Sequence, residues 1–225
     1  MNNLWLIRAK LRRDARVQAL APLLMPTGTG DGTSADHRLI WALMAEDADS
    51  KRDFLFRTEA PGQFLVLASR VPAESDLFEI EAKPYTPSLA AGDRLGFVLR
   101  ANATISRRSE PGKRGKRQDV VMDRLHAVPP GERAEVRAAV AQQAGEEWFA
   151  RVGENSGFTP EVLTVDGYDQ IRVKRDGAKP ILLSQLDISG VVKVKDPVRF
   201  LAALAEGFGR GRAFGLGLML IRRAE

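Results

Sequence analysis

Runs in which every second residue is apolar alternate along this chain with stretches where apolar residues return every three or four positions. Residues 4–11 read as a strand, with Leu4, Leu6 and Ala9 inward. A long connection follows, ending in the glycine/threonine segment 27–33, which reads as flexible. A helix is predicted from Ser34, which can serve as its N-cap, with Ile40, Leu43 and Met44 at helical spacing. Residues 53–59 alternate around Phe54 and Phe56, Ala60-Pro61-Gly62 is a turn signal, and 64–70 reads as the return strand of a hairpin. Residues 77–83 and 94–103 are further strands. The longest helical pattern, 132–152, contains no proline and many alanines.

The second half repeats these elements. Residues 161–165 and 170–174 are candidate strands, the Asp-Gly of Arg175-Asp176-Gly177-Ala178 marks a hairpin turn, and 181–186 returns. Residues 188–195 form another strand. Asp196 then caps a short helix with Pro197 at its first position and Gly207 at its end, and 214–221 is a final strand. Strand, helix, hairpin and strand in that order, twice over, predict an α+β protein of two tandem ferredoxin-like (RRM-like) domains with antiparallel sheets. Pro129-Pro130-Gly131 breaks any element, so the expected division is 1–128 and 129–225.

Charge sharpens the picture. The 225 residues carry a formal net charge of +5, with a pI near 9.7, a balance that favours an anionic partner. The cations concentrate: Arg100, Arg107, Arg108, Lys113, Arg114, Lys116 and Arg117 stand in one span whose only acid is Glu110. Residues 106–118 contain glycine and proline and almost nothing apolar, and read as a mobile basic loop suited to ordering on RNA. A second cationic loop, 207–217, has glycine at 207, 209, 211, 215 and 217, with Arg210 and Arg212 between them. Glycine lets backbone amides approach an anion closely and makes φ > 0 cheap. The spacing of a nucleotide P-loop is absent.

Several chemistries are excluded. With no cysteine there is neither a disulfide framework nor a thiolate nucleophile, and two histidines are too few for a zinc site without carboxylates. No G-x-S-x-G elbow occurs, and no acidic cluster suggests a two-metal nuclease, since Asp47, Asp49 and Asp53 read as a solvated helix end. No metal and no small-molecule cofactor are expected. An apolar run of membrane-spanning length is missing, and the first six residues lack the plan of a signal peptide, so a cytoplasmic protein is expected. Of the two histidines, His126 stands just before the prolines and reads as structural. His37 is placed in the first turn of the helix from Ser34, where free N–H groups attract phosphate and an imidazole can move protons near neutral pH.

Taken together, these features resemble one family, the RAMP superfamily of CRISPR proteins, and within it the CasE-type precursor-RNA endoribonucleases of type I-E Cascade. The resemblance rests on Asp36-His37-Arg38-Leu39-Ile40-Trp41, on Arg52-Asp53-Phe54-Leu55-Phe56-Arg57, on Phe97-Val98-Leu99-Arg100-Ala101-Asn102, on Gly190-Val191-Val192, on Asp196-Pro197 and on the loop 207–217. It implies metal-independent cleavage of CRISPR repeat stem-loops by 2′-hydroxyl attack, leaving a 2′,3′-cyclic phosphate and a 5′-hydroxyl. It also implies retention of the crRNA hairpin and association with other Cascade subunits. His37 matches the catalytic histidine. Such proteins often have a tyrosine three residues earlier, where this chain has Ser34, and a basic residue five later, where it has Ala42. The second catalytic group is therefore open among Arg38, Ser34 and a lysine or arginine from elsewhere. For RNA binding the resemblance implies the basic hairpin with Arg172, Lys174, Arg175 and Lys179, the backbone and arginines of Gly207, Gly209, Arg210, Gly211 and Arg212, and the loop with Arg107, Arg108, Lys113, Arg114, Lys116 and Arg117. The alternative is a non-catalytic RNA-binding RAMP subunit, which needs the basic surface and not the histidine.

Overall fold

The structure, a computed structural model, describes residues 3–47, 49–107, 115–175 and 177–224, without the side chains of Lys116 and Arg175. The first body is built from strand β1 (Leu4–Leu11), helices α1 (Ala15–Leu24) and α2 (Thr29–Met44), and strands β2 (Phe54–Ala60), β3 (Gln63–Ala68) and β4 (Phe78–Tyr85). These strands form a sheet of order β2-β3-β1-β4. Both neighbours of β1 run antiparallel to it. This is the ferredoxin-like order, with a plain loop where the second crossover helix would stand. Ile7, Ala9 and Leu11 bury against Leu39, Ile40, Leu43 and Met44 of α2 and against Phe54, Phe56 and Phe64. The inward face of β1 is thus the odd-numbered one. Leu4 points the other way, into a small cluster with Leu55, Leu67 and Leu218 that joins the two sheets, because side chains alternate strictly along a strand.

The second body opens with β5 (Arg94–Asn102). It continues through the ribbon β6 (Thr104–Arg107) and β7 (Lys116–Asp119), helices α3 (Val120–Leu125) and α4 (Arg133–Ser156), and the long strands β8 (Phe158–Arg175) and β9 (Ala178–Val194). It closes with α5 (Pro197–Glu206), a 3₁₀ turn (Arg212–Phe214) and β10 (Met219–Arg223). The sheet order β10-β5-β9-β8 makes this a complete β-α-β-β-α-β unit counted from β5. The expected division at 128/129 therefore falls inside this body, and the sheets part between Tyr85 and Arg94. β5 pairs with β9 from Arg94↔Lys193 to Asn102↔Gln185 and with β10. Its core brings Leu95, Phe97 and Leu99 against Trp148 and Phe149 of α4 and Phe200 of α5, with the Phe97 and Phe149 rings stacked at 4.7 Å.

Four local expectations change. The four short strands of the second half are two continuous ones, bent at register shifts after Pro160, Val165 and Val173. A bulge reads in sequence as a break, yet the ladder resumes beyond it. The flanks of the basic loop are not loop: Thr104 pairs with Asp119 and Arg107 with Lys116. The final strand starts at Met219 rather than Phe214, because Phe214 closes a 3₁₀ turn and Gly215 and Gly217 stand at φ 79° and 92°. Helix α2 starts at Thr29 and is capped by Gly28, so the glycine/threonine segment is its first turns and Ser34 is interior. Asp196 and Pro197 do open α5, with the Asp196 carboxylate accepting from Arg199 N at 3.0 Å. Among the described residues no helix is long and apolar enough to cross a membrane.

Candidate active site

Three separated sequence segments meet on the loop 207–217. At the end of β5, Arg100 and Asn102 present backbone carbonyls to it: Gly217 N donates to Arg100 O at 2.7 Å and Arg210 N to Asn102 O at 3.2 Å. At the start of β2, a Cβ on Gly207 would lie 2.8 Å from Leu55 and one on Gly215 would lie 3.1 Å from Phe56. The glycines thus admit neighbouring protein at close range and hold φ between 72° and 92°. Helix α2 supplies the third segment. Its apolar stripe faces the first sheet, which leaves Ser34, His37 and Arg38, spaced three and four apart, on another face.

His37 is half-buried and more than two turns beyond the start of α2. The free N–H groups of a helix end do not extend that far, so its setting is not the helix terminus expected from sequence. It is the 3₁₀ turn: His37 Nδ1 lies 2.7 Å from the carbonyl oxygen of Ala213, and its ring lies 5.2 Å from that of Phe214 and 6.3 Å from that of Trp41. A carbonyl only accepts, so Nδ1 carries the proton and donates. Nε2 is then the atom that takes up or gives a proton. Ser34 and Arg38 do not reach this contact as a pair of free groups. Arg38 Nη1 donates to Ser34 Oγ at 2.9 Å along the exposed edge of α2.

A polar chain ties the site across the two bodies. Asp187 holds Arg100 Nε at 2.7 Å, and Arg100 Nη1 donates to Thr58 O at 3.3 Å. The Thr58 hydroxyl donates to Asp36 Oδ2 at 2.8 Å, one residue before His37. Burial holds the Asp36 carboxyl above its usual range, and the Thr58 bond offsets part of that rise. This chain borders a cleft of about 250 Å³ between the start of α2, β2, β5 and the 3₁₀ turn. Beyond the loop a larger groove of about 690 Å³ runs between α4 and α5, with Arg151, Arg199 and Arg212 on its walls.

A sequence model of one family, described as CRISPR associated protein, matches residues 4–223. The chain belongs to that family. Over 150 residues this CRISPR-associated protein is 33% identical to the CRISPR-associated endoribonuclease Cse3 of Thermus thermophilus, an alignment spanning 62% of this chain and 60% of that one. The match therefore spans less than two thirds of the relative's length. Among solved structures, Thermus thermophilus Cse3 bound to an RNA representing a pre-cleavage complex has the same fold. Its TM-score is 0.67 at 24% identity, over 98% of this chain and 99% of that one. Cas6e from Escherichia coli K-12 gives 0.61 at 19% identity over 98% and 100%.

The cations of this CRISPR-associated protein fall into distinct places. In the long hairpin, Ile171 and Val173 pack inward with Leu183 and Leu216, so Arg172 and Lys174 are exposed on the other face, and Lys179 beyond the turn is exposed too. The backbone of Arg175 pairs with Ala178 at the hairpin end. Arg107 is committed to Asp123 at 2.6 Å, a pair 60% and 13% exposed, and that bond holds the Asp123 carboxyl below its usual range. Arg117 is exposed on β7. Arg108, Lys113 and Arg114 lie outside the described residues. Arg210 is exposed, whereas Arg212 is half-buried, with Nε donating to Gly209 O at 3.3 Å. His126 is exposed at the end of α3. Among the described residues no three His, Asp or Glu side chains group as metal ligands. One element of the candidate site escaped sequence reasoning, the polar chain from Arg100 to Asp36. Its signal lay inside a quoted motif, since Arg100 is a charged position in the otherwise apolar strand segment 97–101.

Proposed function

We propose that this chain is a metal-independent endoribonuclease that cuts CRISPR repeat stem-loops in precursor crRNA. The 2′-oxygen of the upstream nucleotide attacks the scissile phosphorus, the bond to the 5′-oxygen breaks, and the products carry a 2′,3′-cyclic phosphate and a 5′-hydroxyl. The chain keeps the cut hairpin and works among the subunits of a Cascade assembly. The observation that carries this reading is the bond from His37 Nδ1 to the Ala213 carbonyl. It holds the ring by Nδ1 and leaves Nε2 as the nitrogen for proton transfer in this reading, beside a loop bearing Arg210 and Arg212. Neutral, Nε2 accepts the 2′-hydroxyl proton; protonated, it supplies one to the leaving 5′-oxygen. The identity to an endoribonuclease of the same family supports the reading.

The direct test is cleavage of an end-labelled repeat hairpin in EDTA with end-group analysis. A cut leaving a cyclic phosphate is expected. Binding without any cut, over several repeat sequences, would return the chain to the non-catalytic RNA-binding alternative.

The exposed face with Arg172 and Lys174 is proposed as a phosphate track along the stem, with shape and backbone dominating over base contacts. Replacing both by alanine is expected to weaken hairpin binding and to lower the slope of log K against log salt by about 0.7–0.9 for each phosphate left without its cation. A titration from low to high salt with unchanged slope would remove this strand from the interface.

A further inference from the structure

We infer that Arg100 is a positioning residue for His37, a single residue from which both partners of the His37–Ala213 contact are held. The inference rests on the ribonuclease reading above and adds to it what aims the imidazole.

The backbone of Arg100 holds the carbonyl side. Arg100 O accepts from Gly217 N at 2.7 Å, and Gly217 O in turn accepts from Phe208 N at 2.9 Å, so the two ends of the loop are closed on each other and on β5. Within the loop Phe214 N donates to Gly211 O at 2.8 Å, which shapes the 3₁₀ turn that presents Ala213 O. The side chain of Arg100 holds the histidine side. Its Nη1 reaches out of the second body to Thr58 O on β2 at 3.3 Å, and the Thr58 hydroxyl donates to Asp36 Oδ2 at 2.8 Å. Asp36 and His37 are consecutive residues inside α2, so a hold on one places the other. The contact of 2.7 Å between His37 Nδ1 and Ala213 O is therefore the closing link of a ring that starts and ends at Arg100.

The ring calls for arginine in particular. Asp187 accepts from Arg100 Nε at 2.7 Å and from Nη2 at 3.5 Å, and is itself steadied by Gln185 Nε2 at 3.0 Å. That two-point grip fixes the guanidinium plane and aims Nη1 at Thr58. The pair is 27% and 28% exposed, so it is screened less than a pair on the surface. All three side-chain nitrogens of Arg100 are thus engaged within the protein, whereas Arg172 and Lys174 are exposed. A lysine would keep the charge beside Asp187, but a single ammonium has no fork with which to aim a further N–H at β2. What the ring secures is a tautomer. With α2 held at the turn, Nδ1 keeps its proton on Ala213 O and Nε2 keeps its lone pair for the 2′-hydroxyl. Once α2 drifts from the turn, the carbonyl loses its donor and the imidazole mixes its two tautomers. A share of the molecules then presents Nε2–H, which accepts no proton.

The test combines single-turnover cleavage, hairpin affinity and thermal melting with NMR of the imidazole nitrogens in mildly alkaline buffer without RNA. The chain has two histidines, so His37 is read beside His126, which is exposed at the end of α3. Wild type is expected to show His37 protonated at Nδ1. Two variants cut the ring: Arg100→Lys keeps the charge beside Asp187, and Thr58→Val leaves that pair untouched and exchanges the hydroxyl for a methyl. Each is expected to move His37 toward a mixture of tautomers. Arg100→Lys is expected to slow cleavage about 10²-fold and Thr58→Val several-fold, with hairpin affinity within a few-fold of wild type. Arg100→Met is expected to lose melting temperature as well, because Asp187 is left without its cation. Arg100→Lys is expected to recover that melting temperature and not the rate. Recovery of both by lysine would reduce Arg100 to a stabilising ion pair and overturn the inference. An unchanged His37 tautomer in both variants would overturn it too, as would equal losses of rate and affinity, which make Arg100 an RNA contact. A wild type that cuts no hairpin, with the tautomer shift present in both variants, would sink the ribonuclease reading and leave the positioning by Arg100 standing.

Discussion

His37→Ala is expected to slow cleavage by about 10²–10⁴-fold, the usual worth of a positioned acid or base, while holding the repeat hairpin within a few-fold of wild type. The separation follows from what the side chain touches. Among the described residues its one polar bond goes to Ala213, and its ring contacts are Trp41 and Phe214. The buried residues of α2, namely Ala35, Leu39, Ile40, Leu43 and Met44, do not include it, so truncation leaves the helix seated on the first sheet. The basic face with Arg172 and Lys174 belongs to another element and keeps its charge. Single-turnover rates and equilibrium binding on one RNA decide the matter. A variant that cuts at the wild-type rate would remove His37 from the chemistry, and one that no longer binds would make it an RNA anchor instead.

Gly30→Ala is the second large effect, and its sign runs against helix propensity. In an exposed helix this exchange stabilises by about 1 kcal/mol. At Gly30 a Cβ would overlap the carbonyl oxygen of Arg172 and lie 3.1 Å from its carbonyl carbon, so α2 and β8 must separate by roughly 1 Å. A misplacement of that size costs about 100-fold in rate, because α2 carries His37 while the Ala213 carbonyl stays with the second body. The neighbour provides the control. At Gly32 a Cβ would meet only Pro26 O at 3.6 Å, an ordinary contact, so Gly32→Ala is expected to raise the melting temperature and leave cleavage alone. If the two variants behave alike, the close approach of α2 to β8 is not what seats the histidine.

These two glycines also mark where sequence reading stopped. Local signals carried the hairpin around Gly62, the Asp196-Pro197 start of α5 and the body of α4, because turn chemistry, capping and helical period each act over a few residues. They failed at the start of α2, where the low helix propensity of glycine outweighed a reason visible only in space, the carbonyl of Arg172. They failed again at the division of the chain. β5 reads as the end of the first half, yet its partners β9 and β10 lie far along the sequence, and no local pattern encodes that pairing. The site was legible to the same extent. His37 and the loop 207–217 were visible as residues, but the contact joining them spans 176 positions.

That span has a consequence for synthesis. Helix α2, with His37 on it, leaves the ribosome long before the segment that completes its surroundings. The Ala213 carbonyl does not exist until the 3₁₀ turn has been made, and the loop is held only once Gly217 reaches Arg100 and β10 has zipped onto β5. A nascent chain with a folded first body therefore carries an unanchored imidazole. On the ribonuclease reading proposed above, cutting is expected only once residues 207–217 have joined β5, so the growing chain passes through synthesis without a competent site.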